Sequence, residues 1–163
     1  MHRHGVIIAL ASLLWLGAAT GASSASSLSL AEKTAFKVRH LQIELMVAAL
    51  SCGRADYRMR YDTFARKYVK QLVAHGRVLR RYFARRYGVN AVPRLDRYIT
   101  AASNEASLRS MTTPDFCAGS GDLFHAVTRS GYGRLSSFVA QPAFDRLNGR
   151  HPVDPESAQN LGR

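Results

Sequence analysis

No stretch of this chain alternates apolar and polar residues for long enough to build a useful strand, and no internal repeat is present. A sheet protein and a solenoid are therefore not expected. Acidic residues are few. Eleven Asp and Glu face 23 Lys and Arg in 163 residues, a formal charge of +12. There are only two cysteines, Cys52 and Cys117. They stand too far apart for a Cys-x-x-Cys redox motif, and the Cys-x-x-Cys-His haem signature is missing. Also missing are the Gly-x-Ser-x-Gly nucleophile elbow, the phosphate loop, the Gly-x-Gly-x-x-Gly dinucleotide fingerprint and His-Glu-x-x-His. No cofactor is called for, and the chain reads as non-catalytic. An unrecognised hydrolase is the competing reading, and it would need a cleft uniting His40, Glu44 and His75.

What is present begins with an export signal. Met1–Gly5 carries Arg3, Val6–Leu16 is apolar, and small residues follow. This is the form of a secretory signal peptide over 1–25, with cleavage after Ala22 or Ala25. The apolar run is shorter than the roughly 20 residues that span a bilayer. No cysteine follows it, so a lipid-anchored new N-terminus is not expected. Cleavage removes Arg3 and no acid, which leaves a formal charge of +11. A periplasmic or secreted product follows. In such an oxidising compartment the two cysteines read as a disulfide. Two free thiols and a metal pair are the alternatives, and two thiolates alone lack the four ligands of a structural zinc site.

The rest of the chain reads as helices. Ser29-Leu30-Ala31-Glu32 has the form of a capping box, which starts a helix running to about Ser51. Leu41–Leu50 is apolar on nearly every side, as in a helix buried all round. Residues 57–87 follow with two faces. Tyr57, Tyr61, Phe64, Tyr68, Leu72, Leu79, Tyr82 and Phe83 fall on one side, and cations on the other. Gly76 predicts a kink near His75–Gly76 or a division into two helices. Gly88 suits the end of this segment, and Asn90 and Pro93 suit the start of the next. That helix carries Val92, Leu95, Ile99, Ala102 and Ala106 as its stripe and ends near Met111. Thr113 and Pro114 then open a last helix with Phe116, Leu123, Phe124 and Val127 inside and Gly119 and Gly121 weakening its first turns. The expectation is an all-α, single-domain four- or five-helix bundle over 26–130. Residues 131–163 are mostly irregular or disordered, with Leu135, Phe138, Val139 and Phe144 packing as a short segment.

The cations are concentrated. Residues 54–97 hold 13 Arg or Lys against Asp56, Asp62 and Asp96, a net of +10. Mixed charges on a helix face are ordinary solvated surface, but a nearly single-signed face repels itself unless an anion meets it. Arg66, Lys67, Lys70, Arg77, Arg80, Arg81, Arg85 and Arg86 are therefore the candidate partner-binding residues. The Arg80-Arg81 and Arg85-Arg86 pairs are able to fork onto phosphates or carboxylates. Export argues against nucleic acid inside the cell. An acidic envelope component, an acidic protein surface and peripheral contact with a membrane remain as partners. His40 and Glu44 share a helix face, and with His75 or His125 they could hold a metal, a weak signal. Pairing with an arginine suits Glu44 better, and Asn104 and Glu105 suit buried contacts that keep helices in register.

Ile43–Cys52, Asn104-Glu105-Ala106-Ser107 and Phe116-Cys117, with the aromatic and basic helix between them, resemble a family of small, secreted bacterial helical proteins with no assigned activity. The resemblance covers about 38–127. It implies an envelope location and a paired cysteine. In outline only, a compact helical chain with one disulfide is similar to the periplasmic acid-stress chaperones. The functional expectation is an exported protein that binds an anionic partner through its basic face. A structural or assembly subunit of an envelope complex and a chaperone-like protein are the alternatives.

Overall fold

The computed structural model describes residues 28–53, 55–129 and 133–147. The signal peptide expected over 1–25 and the chain from 148 onward lie outside the described residues. Among the described residues there are six α-helices, one 3-10 turn and no strand. The all-α bundle expected from the sequence is the observed architecture.

Helix α1, Leu30–Ser51, begins at the capping box. The Ser29 backbone N–H donates to Glu32 at 2.9 Å, and Glu32 N–H donates to the Ser29 hydroxyl at 3.3 Å. Two of the donors orphaned at a helix start are thereby satisfied. Ala35, Phe36, Val38, Leu41, Ile43, Leu45, Val47, Ala48 and Ala49 are buried, so α1 is the central helix. It packs against α2 (Ala55–Tyr87), α3 (Ala91–Thr112), α4 (Phe116–Arg129) and α5 (Leu135–Val139). Leu50 departs from the expectation: it is exposed, because it faces outward at the last turn.

Helix α2 is one element of 33 residues and is not divided at Gly76. Its inner face is the aromatic stripe. Tyr57, Phe64, Tyr68, Leu79, Tyr82 and Phe83 are buried, with Tyr61 and Leu72 half-buried. Each fully buried residue of this size contributes about 1.5–3 kcal/mol, far more than helix propensity does. The rings pack against one another in separate groups. Phe36 of α1 meets Tyr82 and Tyr98 edge-on, with centroids 5.3 and 5.2 Å away. Tyr57 meets Phe124 at 5.5 Å, and Phe64 meets Tyr68 at the same separation. Two of the tyrosine hydroxyls bond across to α4. Tyr57 donates to the Cys117 carbonyl at 2.6 Å and Tyr68 to the Val127 carbonyl at 3.0 Å, so both tie α2 to α4.

Gly88, at φ +52, starts a 3-10 turn over Gly88–Asn90 that runs directly into α3. That turn gives Asn90 a compact backbone, φ −89 and ψ 7, and its side chain makes no capping bond, contrary to expectation. The stripe of α3 is also shifted. Val92 is exposed, while Tyr98, Ala102 and Ala106 are buried and Ala91, Leu95 and Ile99 are partly so. Tyr98 sets this register, because Phe36 and Phe83 close over its ring. Thr113 ends α3 instead of capping α4, and α4 starts two residues beyond Pro114. Gly119 and Gly121 sit inside an unbroken α4, whose Phe116, Leu123, Phe124 and Val127 are buried as expected.

Cys52 and Cys117 form a disulfide with Cα atoms 5.6 Å apart. It joins the end of α1 to the start of α4 across 65 residues, which contributes on the order of 4 kcal/mol in the chain-entropy account. Packing continues past 130. Leu135, Phe138, Val139 and Phe144 are buried, and they lie on α5 and on α6, Pro142–Leu147. The Gln71 amide secures the approach to α5, donating to the Gly133 carbonyl at 2.8 Å and accepting from Leu135 N–H at 2.7 Å. Lys37 Nζ lies 2.8 and 3.0 Å from the two Asp145 carboxylate oxygens and fixes α6 to α1. The helical unit therefore reaches Leu147, beyond the boundary expected near 130.

Candidate functional site

With its aromatic side committed to the core, α2 presents the opposite side outward. Arg66, Lys67, Lys70, Arg77, Arg80, Arg81, Arg85 and Arg86 are all exposed. They are not equally available. Arg85 is ion-paired with Glu32, which the α1 capping box holds in place. That hydrogen bond holds the Glu32 carboxyl below its ordinary pKa, against the opposing effect of burial. Lys67 donates to the Thr128 carbonyl at 3.1 Å and lies over the Tyr68 ring. Arg86 lies over Tyr87, which Arg94 of α3 also approaches.

Arg66, Lys70, Arg77 and Arg81 differ. None of them forms an ion pair among the described residues. At 100° per residue their directions fall within about 60° of one another. At 1.5 Å per residue the four span about 22 Å of the helix. Met59 and Val73 fall on the same stripe and are 64% and 44% exposed. The result is one cationic track with Val73 set between its charges and Met59 two turns before the first of them. Asp62, one turn before Arg66 and exposed, is the acid nearest to it along α2.

Several carboxylates elsewhere are engaged, whereas Asp96, Asp115 and Asp122 form no ion pair among the described residues. Glu44 is buried on α1 and accepts from Arg109 at 2.5 Å, as the expectation of an arginine partner required. Arg109 also donates to Glu105 at 2.8 Å within α3. Burial pushes the Glu44 carboxyl above its ordinary value, and Arg109 opposes that rise. Asn104, expected in a buried contact, is exposed instead. His40 is buried on α1, and burial lowers the His75 pKa. His125 is exposed and lies against Arg129 one turn later. Among the described residues no three His, Cys, Asp or Glu side chains gather as a metal-holding group, so His40, Glu44, His75 and His125 are not brought together as one. No helix of the described residues is long and apolar enough to cross a membrane.

Two arginines of consequence lie outside the set of binding residues that the sequence suggests: Arg109, the hub of the Glu44–Glu105 contacts, and Arg39 of α1. Glu105, one turn before Arg109, is a local signal for the first. Arg39 has a local partner in Gln42, but its charged and aromatic surroundings come from α2 and α3 and leave no local signal.

No family model, curated protein or solved structure matches this chain.

Proposed function

We propose that this is an exported, non-catalytic helical protein that binds an acidic polymer or surface through the outer face of α2. One observation carries the reading: Asp145, Asp56, Glu32, Glu44 and Glu105 are engaged by Lys37, Arg60, Arg85 and Arg109, while Arg66, Lys70, Arg77 and Arg81 stay in line without ion pairs among the described residues. Such a track raises the local concentration of anions and is stabilised when they arrive. The formal charge of +12 acts in the same sense. The export signal read at residues 1–25 and the Cys52–Cys117 bond support a periplasmic or secreted location. So does the resemblance to secreted bacterial helical proteins.

The test is affinity isolation of the tagged mature protein from an envelope extract at low salt, followed by elution in salt steps. Acidic lipid, polysaccharide or protein is expected to leave at modest salt, since exposed charges are screened over about 8–10 Å near physiological ionic strength. Material that stays bound regardless of salt would contradict an electrostatic face.

A further inference from the structure

Arg39 is a cation in an unusual place. It lies on the central helix and is half-buried. Its Nη1 donates to Gln42 at 2.8 Å, one turn later on α1. Its Nη2 reaches across to Gly76 of α2, 3.3 Å from the point where a Cβ would stand. Arg80 Nη1 converges on the same point from α2, at 3.9 Å. Neither guanidinium forms an ion pair among the described residues. Two cations thus meet over a bare glycine with no carboxylate between them.

We infer that Arg39 and Arg80 form a discrete site for one phosphate group above Gly76. Guanidinium forks match tetrahedral oxyanions, and charge-assisted bonds to them form at about 2.7–2.9 Å. The missing side chain at Gly76 explains itself in the same geometry. A glycine inside a helix weakens it by about 1 kcal/mol, yet α2 continues through this one. A methyl group there would press on Arg39, so the glycine keeps the guanidinium seated. Burial lowers the Arg39 pKa, with the Arg80 charge acting in the same direction and the Tyr98 and Tyr61 phenols opposing it. An anion between the two arginines offsets their mutual repulsion and stabilises the charged form of Arg39.

This site does not depend on the long cationic track. Arg80 flanks that track, but Arg39 is set behind it on another helix. The bound group is a phosphate, either free or carried on a lipid headgroup.

The test is an amide NMR titration of the mature protein with inorganic phosphate, at pH 7 and constant ionic strength set by sodium chloride. A parallel titration uses neutral vesicles with and without phosphatidic acid. Saturable shifts at Gly76 and its neighbours with inorganic phosphate assign a free phosphate. Shifts only with phosphatidic acid vesicles assign a headgroup. In either case Arg39→Gln and Arg80→Gln are each expected to weaken binding at least tenfold. Gly76→Ala is expected to weaken it while leaving both charges in place. Arg80 is exposed, so its variant folds even if Arg39→Gln does not. The double variant Arg66→Gln/Arg81→Gln is expected to keep phosphate binding while losing affinity for long polyanions, which separates this site from the track. Absence of saturable shifts at Gly76 with both probes, or shifts unchanged in Arg80→Gln, would overturn the proposal.

Discussion

Replacing Arg109 with Met isolates the contribution of the one buried ion pair between α1 and α3. The Glu44 side chain is 8% exposed and that of Arg109 19%. Met keeps most of the apolar stem and removes the charge. The Glu44 carboxylate is then left at a helix seam with no counter-charge, and breaking a buried pair in this way costs about 3–5 kcal/mol. Protonation sets a ceiling on that cost. Holding a carboxyl of ordinary pKa about 4.3 neutral at pH 7 takes about 3.7 kcal/mol, at about 1.36 kcal/mol per pH unit. The ceiling falls to about 1 kcal/mol at pH 5 and vanishes near pH 4.3. Glu105 also loses a partner, but its side chain is 37% exposed, so that loss contributes little. The sign follows from the direction of the shift. Burial raises the Glu44 pKa in the fold, so its share of stability is present below the ordinary carboxylate value and is lost as pH rises through the raised one. Removing Arg109 steepens this dependence. Urea unfolding of both proteins at pH 7 and pH 5 measures it, and groups common to both cancel in the difference. The expected loss is about 3–4 kcal/mol at pH 7 and about 1 kcal/mol at pH 5. Adding Glu44→Leu to the variant should recover most of the loss at pH 7. A penalty that is the same at both pH values would refute the reasoning.

Two further outcomes follow from close contacts on α4 and α1. In Gly121→Ala the new Cβ would stand 2.6 Å from the Tyr57 hydroxyl and push it off the Cys117 carbonyl. Unfolding experiments should show a loss of about 1–3 kcal/mol, partly recovered when Tyr57→Phe removes the clashing oxygen; no loss would contradict the contact. The Glu32 carboxyl, held low by Arg85, contributes stability that is present above its ordinary pKa and lost as pH falls through the lowered value. Arg85→Gln should flatten the fall in stability between pH 5 and pH 3, and equal slopes in the two proteins would count against the pair.

Local chemistry is legible in the sequence and long-range packing is not. Ser29 and Glu32 reveal the start of α1 because both halves of the capping box lie within four residues. The inner face of α2 is legible because Tyr57, Phe64, Tyr68 and Tyr82 repeat at helical spacing. Burial on every side of Leu41–Ala49 follows from a helix with almost no polar residue. Gly76 and Gly121 have the local signature of weak points, yet each is the floor on which a side chain of another helix rests: Arg39 on Gly76 and Tyr57 on Gly121. A glycine's neighbour across a helix interface leaves no trace in local periodicity. The spacing of Val92 matches Leu95 and Ile99 and suggests an inward position, but Tyr98 sets the register through two aromatic partners remote in sequence. Asn90 has the residue type of a cap, but the turn begun at Gly88 takes its backbone out of the extended region that capping needs. On the candidate site, the cationic face is legible from composition alone. Which cations the fold leaves unpaired is not, since Glu32, Glu44 and Asp145 lie on other helices.

The measurement that bears most directly on the α2 face is the affinity of the mature protein for heparin, a polyanionic probe, across a series of salt concentrations. The wild type is compared with a variant carrying Arg66→Gln, Lys70→Gln, Arg77→Gln and Arg81→Gln. The cationic track predicts wild-type binding that falls steeply as salt rises, and a variant that folds normally, binds weakly and has lost most of that salt dependence. Equal binding by the two proteins, or wild-type binding that does not change with salt, would contradict it.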